Sequence, residues 1–167
     1  PPAFGWQGAV MATGGGQNGA GPGDALRRTA SRDNDRTLFV MSAGFDPRST
    51  SGLSRFIDAT GSAPHVLVIN PQPSREAVPG PLTTRRVENE EAIAKLAAHR
   101  HRAWDYPDVF DEASAGRQLA RDLTARECMK DLGTIVFDMS AFPTTLAFPM
   151  LNALLSCAGS PGFPSEL

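Results

Sequence analysis

Residues 37–48 read Thr37-Leu38-Phe39-Val40-Met41-Ser42-Ala43-Gly44-Phe45-Asp46-Pro47-Arg48, an apolar run that stops at small residues and then presents an acid and a base. Leu38 to Met41 is too short for a helix and too continuously apolar for a half-exposed strand, so it reads as a strand buried on both faces. Such strands lie inside parallel sheets. In an open parallel sheet, ligands are met where strands end and loops lead into the following helices. Ser42, Gly44, Asp46 and Arg48 fall at that end.

The same signature recurs twice. Ser49 or Ser51 is suited to cap a helix carrying Leu53, Phe56 and Ile57 on one face, with Gly61 as its stop. His65-Val66-Leu67-Val68-Ile69 then reads as a second buried strand, ending at Asn70-Pro71-Gln72. Residues 71–86 read as a long proline-rich loop. Val87 to Arg100 reads as a helix with Glu88, Glu90 and Glu91 in its first turn and Lys95, His99 and Arg100 in its last, the order a helix dipole favours. Arg102 to Tyr106 suggests a short strand, and Ala113 to Lys130 a helix ended by Gly133. Thr134-Ile135-Val136-Phe137 repeats the buried pattern and runs into Asp138-Met139-Ser140. A last helix from about Thr145 tolerates Pro149 because that proline is expected near its first turn. Strand and helix alternate throughout, which specifies an α/β domain: a Rossmann-like open parallel sheet with helices on both faces.

The 167 residues fit one such domain with appendages. Residues 1–33 are rich in glycine, alanine and proline and read as a flexible leader, 34–158 as the Rossmann-like domain, and 159–167 as a tail. Gly14, Gly16 and Gly19 spell a G-x-G-x-x-G, but no strand precedes them and Gly21-Pro22-Gly23 follows, so a linker explains them better than a dinucleotide loop. The chain opens at Pro1 without a basic-then-apolar signal segment, and a fragment or processed product is expected.

Composition excludes several functions. A net charge of -2 and a pI near 5.9 argue against an extended nucleic-acid surface. No apolar stretch reaches the roughly 18 residues of a membrane span. Cys128 and Cys157 lack metal spacing and read as buried free thiols of a reducing compartment, so the cytoplasm is expected. His65, His99 and His101 offer no pair at helical ligand spacing, so no metal is assigned, and no phosphate-binding loop leads to a Lys-Ser or Lys-Thr pair.

The candidate site is therefore the carboxyl edge: Ser42, Gly44, Asp46 and Arg48 after the first strand, Asn70 after the second, Asp138 and Ser140 after the last. Asp138 has two further readings, a cap on the following helix or a partner for Arg48. Asp46-Pro47 also starts turns without any function. A nucleotide-type small ligand would be held by Arg48 and by amides at the start of the helix after Ser140.

Two families resemble this chain over about residues 37–157. Ile135-Val136-Phe137-Asp138-Met139-Ser140-Ala141-Phe142-Pro143-Thr144 resembles the signature of CRISPR-associated Rossmann-fold (CARF) sensor domains. In those, an apolar strand ends in an acid, a Ser or Thr two residues on, two glycines and a Thr-Lys pair. Asp138 and Ser140 match, while Ala141, Phe142 and Thr144 stand where that family has its glycines and basic residue. The resemblance implies a sensor of cyclic oligonucleotide messengers, a homodimer, and an effector domain downstream. Ala43-Gly44-Phe45-Asp46-Pro47-Arg48 is similar to the S-adenosylmethionine-binding turn of leucine carboxyl methyltransferase-like enzymes, with Gly44, Asp46 and Arg48 in matching places. That likeness implies a methyltransferase, although Ile69-Asn70 lacks the acid such enzymes carry after their second strand. A structural or regulatory module of the same fold without a small ligand is the third expectation.

Overall fold

The computed structural model describes residues 34–44, 46–71, 80–98, 100–106, 112–125 and 132–157. Four strands, β1 (Thr37–Met41), β2 (His65–Pro71), β3 (His101–Tyr106) and β4 (Thr134–Phe137), form one sheet in the order β3-β2-β1-β4. Every neighbouring pair is parallel. The helices are α1 (Ser51–Thr60), α2 (Pro81–Leu96), α3 (Glu112–Thr124) and α4 (Thr144–Cys157). The α/β open parallel sheet expected from the pattern is the fold observed.

β1 is central, and all five of its residues are buried. Leu38 and Val40 pack on one face with Leu119 and Leu123 of α3 and Met150 and Leu154 of α4. Phe39 and Met41 pack on the other with Leu53 and Phe56 of α1 and Ile93 of α2. The Phe39 and Phe56 rings meet edge to face with centroids 5.5 Å apart, which fixes α1 over β1. This double burial explains why β1 lacks the polar alternation of a half-exposed strand.

The order also explains the layering. From β1 the chain steps outward to β2 and β3 through α1 and α2, then returns past β1 to β4 through α3. Crossovers of one hand must change face when their direction reverses. Accordingly α1 and α2 cover one face, and α3 and α4 the other. The reversal lies between β1 and β4, which makes it the point where ligands are met in sheets of this kind.

Several boundaries differ from the sequence expectation. α2 begins at Pro81, six residues before Val87, and has no acid in its first turn. Proline costs nothing at a first helical position, where its missing N–H has no partner to lose. Glu88 and Glu90 are mid-helix instead, facing Arg85 and Arg86 at 3.7 and 3.8 Å. α2 ends at Leu96, with Ala97 and Ala98 turning out of it and Ala98 at φ 46°. α3 ends at Thr124, and the rest of the expected segment to Lys130, Cys128 included, lies outside the described residues. So do the leader 1–33, Gln72, His99 and the tail 159–167.

Neither Ser49 nor Ser51 caps α1. Its preceding residue is Thr50, whose side chain makes no capping bond, and the helix is led in by a 3-10 turn, Pro47–Thr50, that Asp46 caps. Gly61 stops α1 as expected, in a left-handed conformation with its N–H on the Ile57 carbonyl. Pro149 lies in the second turn of α4 and not the first. α3 approaches α4 there through Gly116, where a Cβ would stand 2.9 Å from Pro149 Cβ and 3.0 Å from Leu146 O. Among the described residues no helix is long and apolar enough to cross a membrane.

Candidate functional site

The loop after β1 is short and turns sharply because of its residues. Asp46, extended at φ -75° and ψ 128°, accepts the Arg48 N–H at 2.8 Å and so caps the 3-10 turn, while Pro47 fills the first helical place. The Arg48 guanidinium folds back on the same carboxylate, with Nε at 3.0 Å from Oδ1 and Nη2 at 2.6 Å from Oδ2. Those bonds, the side-chain one first and the backbone N–H second, hold the Asp46 carboxyl down to about 2 from an ordinary 3.8. Asp46 in turn raises the Arg48 guanidinium. Arg48 is 75 % exposed. Arg48 is thus given to Asp46, and the reading of Asp138 as its partner is corrected.

Asp138 follows β4 directly and its N–H continues the sheet onto the Val40 carbonyl at 2.9 Å. Its Oδ1 accepts the Ser140 N–H at 2.9 Å, so the carboxylate braces its own turn and does not cap α4. Oδ2 lies against Gly52 in the first turn of α1, where a Cβ would collide with it. That oxygen is buried and has no hydrogen-bond partner among the described residues. A carboxylate at a helix amino terminus is favoured by the unpaired N–H groups there, and glycine is what allows the approach.

Across the reversal, the β1 and β4 loops touch. Gly44 has φ 35°, and a Cβ on it would meet Ala141 O at 3.1 Å and Ala141 Cβ at 3.3 Å. Both the positive φ and the close approach call for glycine. Ser140 is exposed on the β4 side of this contact. Phe142 packs inward against Phe137, with centroids 5.2 Å apart.

Side-chain alternation sorts the remaining residues. Val66 and Val68 face α1 and α2, so Asn70, two residues on, faces them as well. Its Nδ2 donates to Glu90 Oε1 of α2 at 2.6 Å. Ser42 continues the opposite face of Leu38 and Val40, while Ala43 packs with α1 and α2. Ser42 is buried with its hydroxyl unpartnered among the described residues, as is the Ser49 hydroxyl in the 3-10 turn. Asp138 and Asn70 therefore share a face but flank the β1 loop, on strands two spacings or about 10 Å apart.

The sequence reading missed Asn89. This side chain on α2 is 6 % exposed, and its Nδ2 donates to the carbonyls of Ala43, Gly44 and Asp46 at 3.0, 3.0 and 3.1 Å. One amide thus holds the whole β1 turn. A signal existed in its spacing, because Asn89 and Ile93 lie four apart on the buried stripe of α2, and Ala97 just past the helix continues it.

The arrangement offers acceptors (Asp138, Glu90, Asn70), an outward guanidinium (Arg48) and turn amides, all at the strand ends. Such a set can bind a polar ligand with hydroxyl, amino and anionic groups. Among the described residues no group of three or more His, Cys, Asp or Glu side chains is placed to hold a metal. Comparison with protein-family models, with curated proteins and with solved structures gives no match to this chain.

Proposed function

We propose that this domain binds a nucleotide-type small ligand across its carboxyl edge, as a ligand-sensing module. The observation that carries the reading is the reversal of strand order between β1 and β4, with the two loops in contact through Gly44 and Ala141. In open parallel sheets that crevice is the ligand site. Asp138 would meet a ribose hydroxyl, and Arg48, whose Nε and Nη2 are on Asp46, would offer Nη1 to a phosphate. The sensor resemblance adds a cyclic oligonucleotide as the messenger, a homodimer as the working form and a prokaryotic defence setting. A cytoplasmic location is in keeping with the free Cys157 thiol.

One observation favours a second reading, an S-adenosylmethionine-dependent methyltransferase. The acid that β2 lacks at its end is supplied from α2 by Glu90, beside Asn70. The contacts from Asn70 and Arg86 both fall on Oε1, so Oε2 is the oxygen ribose hydroxyls would meet.

Calorimetric titration with S-adenosylmethionine, NAD and cyclic tetra-adenylate separates the readings. Heat with tetra-adenylate, lost in Asp138→Ala, supports the sensor. Heat with S-adenosylmethionine alone moves the methyltransferase first. No heat with any of the three leaves a structural or regulatory module.

A further inference from the structure

The carboxyl end of β2 and the facing turn of α2 hold two buried polar atoms without a hydrogen-bond partner among the described residues. Asn70 is 1 % exposed, and its Nδ2 donates to Glu90 Oε1. A carboxylate accepts and does not donate, so Glu90 fixes the amide with Nδ2 toward itself and Oδ1 turned away. That Oδ1 is buried without a hydrogen-bond partner among the described residues. Arg86, one helical turn before Glu90, brings its Nε to 3.8 Å from the same Oε1, too far for a hydrogen bond. Its Nε is likewise buried and unpartnered. One carboxylate therefore holds an acceptor and a donor in place, both unmet, and such groups in a native fold call for a partner.

Resting on the nucleotide reading above, we infer that Asn70 and Arg86 form its base-recognition subsite, selecting a base edge that pairs an amino donor with a ring-nitrogen acceptor. Adenine presents that edge with its 6-amino group and N7, whereas guanine and hypoxanthine present two acceptors there. Asn70 Oδ1 accepts from the amino group and Arg86 Nε donates to the ring nitrogen. Glu90 is a positioning residue, because it sets the Asn70 orientation without meeting the base. The subsite adjoins the β1 turn: Met41 pairs with Val68, so Asn70 lies level with Ala43, whose carbonyl Asn89 holds. A base at β2 and a sugar over the turn make one continuous ligand.

The test is calorimetric titration of the whole chain with adenosine and with inosine, which differ at the edge in question. Adenosine is expected to bind tighter by about tenfold or more, since inosine sets its O6 acceptor against Asn70 Oδ1 and forfeits a hydrogen bond. Asn70→Leu should bring the ratio toward one. Glu90→Gln keeps the volume and, through loss of the fixed amide orientation, should lower the ratio as well, which covers the case of a leucine variant that does not fold. Equal affinities in the wild type, or a ratio untouched by both variants, would show that ordered water alone satisfies the pair, and the inference falls while the nucleotide reading stands. Absence of binding by either nucleoside removes the inference. If NAD, S-adenosylmethionine and tetra-adenylate also give no heat, the nucleotide reading falls with it.

Discussion

Asn89→Ala is the substitution most informative about how the β1 turn is held. The native Nδ2 carries two protons and meets three carbonyls, those of Ala43, Gly44 and Asp46, so it makes the equivalent of two full hydrogen bonds. At roughly 1 kcal/mol net each, their loss costs about 2 kcal/mol. The carbonyls left without a donor in a site that is 6 % exposed add about 1 to 2 kcal/mol, less whatever water recovers. The expected total is about 2 to 4 kcal/mol, a large part of an ordinary domain's stability. Urea denaturation followed by circular dichroism should show a lower midpoint with an unchanged slope. Asn89→Asp is the control: it keeps the shape but turns an acceptor toward carbonyls, and should cost at least as much. A loss below about 0.5 kcal/mol for Ala, within the range of ordinary surface substitutions, or an Asp variant more stable than the Ala variant, would refute the clamp.

Three further outcomes are expected. Ala98→Gly should stabilise by about 0.5 to 1 kcal/mol in the same urea assay, because Ala98 sits at φ 46° just past α2, where glycine is free of the left-handed penalty. Gly116→Ala should destabilise by about 1 to 3 kcal/mol despite its better helix propensity, since the new methyl meets Leu146 O and Pro149 across the α3–α4 contact; a stabilised variant would show that the helices separate freely. Asp46 has a folded value near 2 against 3.8, a depressed acid, so its contribution is present above pH 3.8 and is lost as the pH falls toward 2. Carbon NMR should find that low titration, returning toward 3.8 in Arg48→Ala and weakened by salt, as befits an exposed pair.

The central strands were legible because a parallel sheet covered on both faces leaves a continuous apolar run: Leu38 to Met41 and Val66 to Ile69 carry it, and both are buried throughout. Helix ends were less legible where a residue has two uses. Pro81 reads as a loop, yet it opens α2, and Ser49 reads as a cap, yet it is buried in the turn that Asp46 caps. At the site, Asp46, Arg48 and Asp138 stand out locally, being charges just after apolar strands. Their partners do not. Asn89 lies 43 residues from Asp46 and Gly52 faces Asp138 from a different element; the four-residue spacing of Asn89 and Ile93 marks the asparagine as buried, but nothing local shows which turn or carboxylate either residue meets.

A ligand met at the carboxyl edge where the strand order reverses, as proposed, must perturb the loops after β1 and β4. Amide chemical-shift mapping of isotopically labelled protein with saturating cyclic tetra-adenylate reads that perturbation out. The largest shifts are expected at Gly44, Gly52 and Ser140, around the contact of the β1 and β4 loops, with Gly61, Arg100 and Gly133 at the opposite edge unmoved. Shifts centred on that opposite edge, or spread evenly over both, would contradict the proposal.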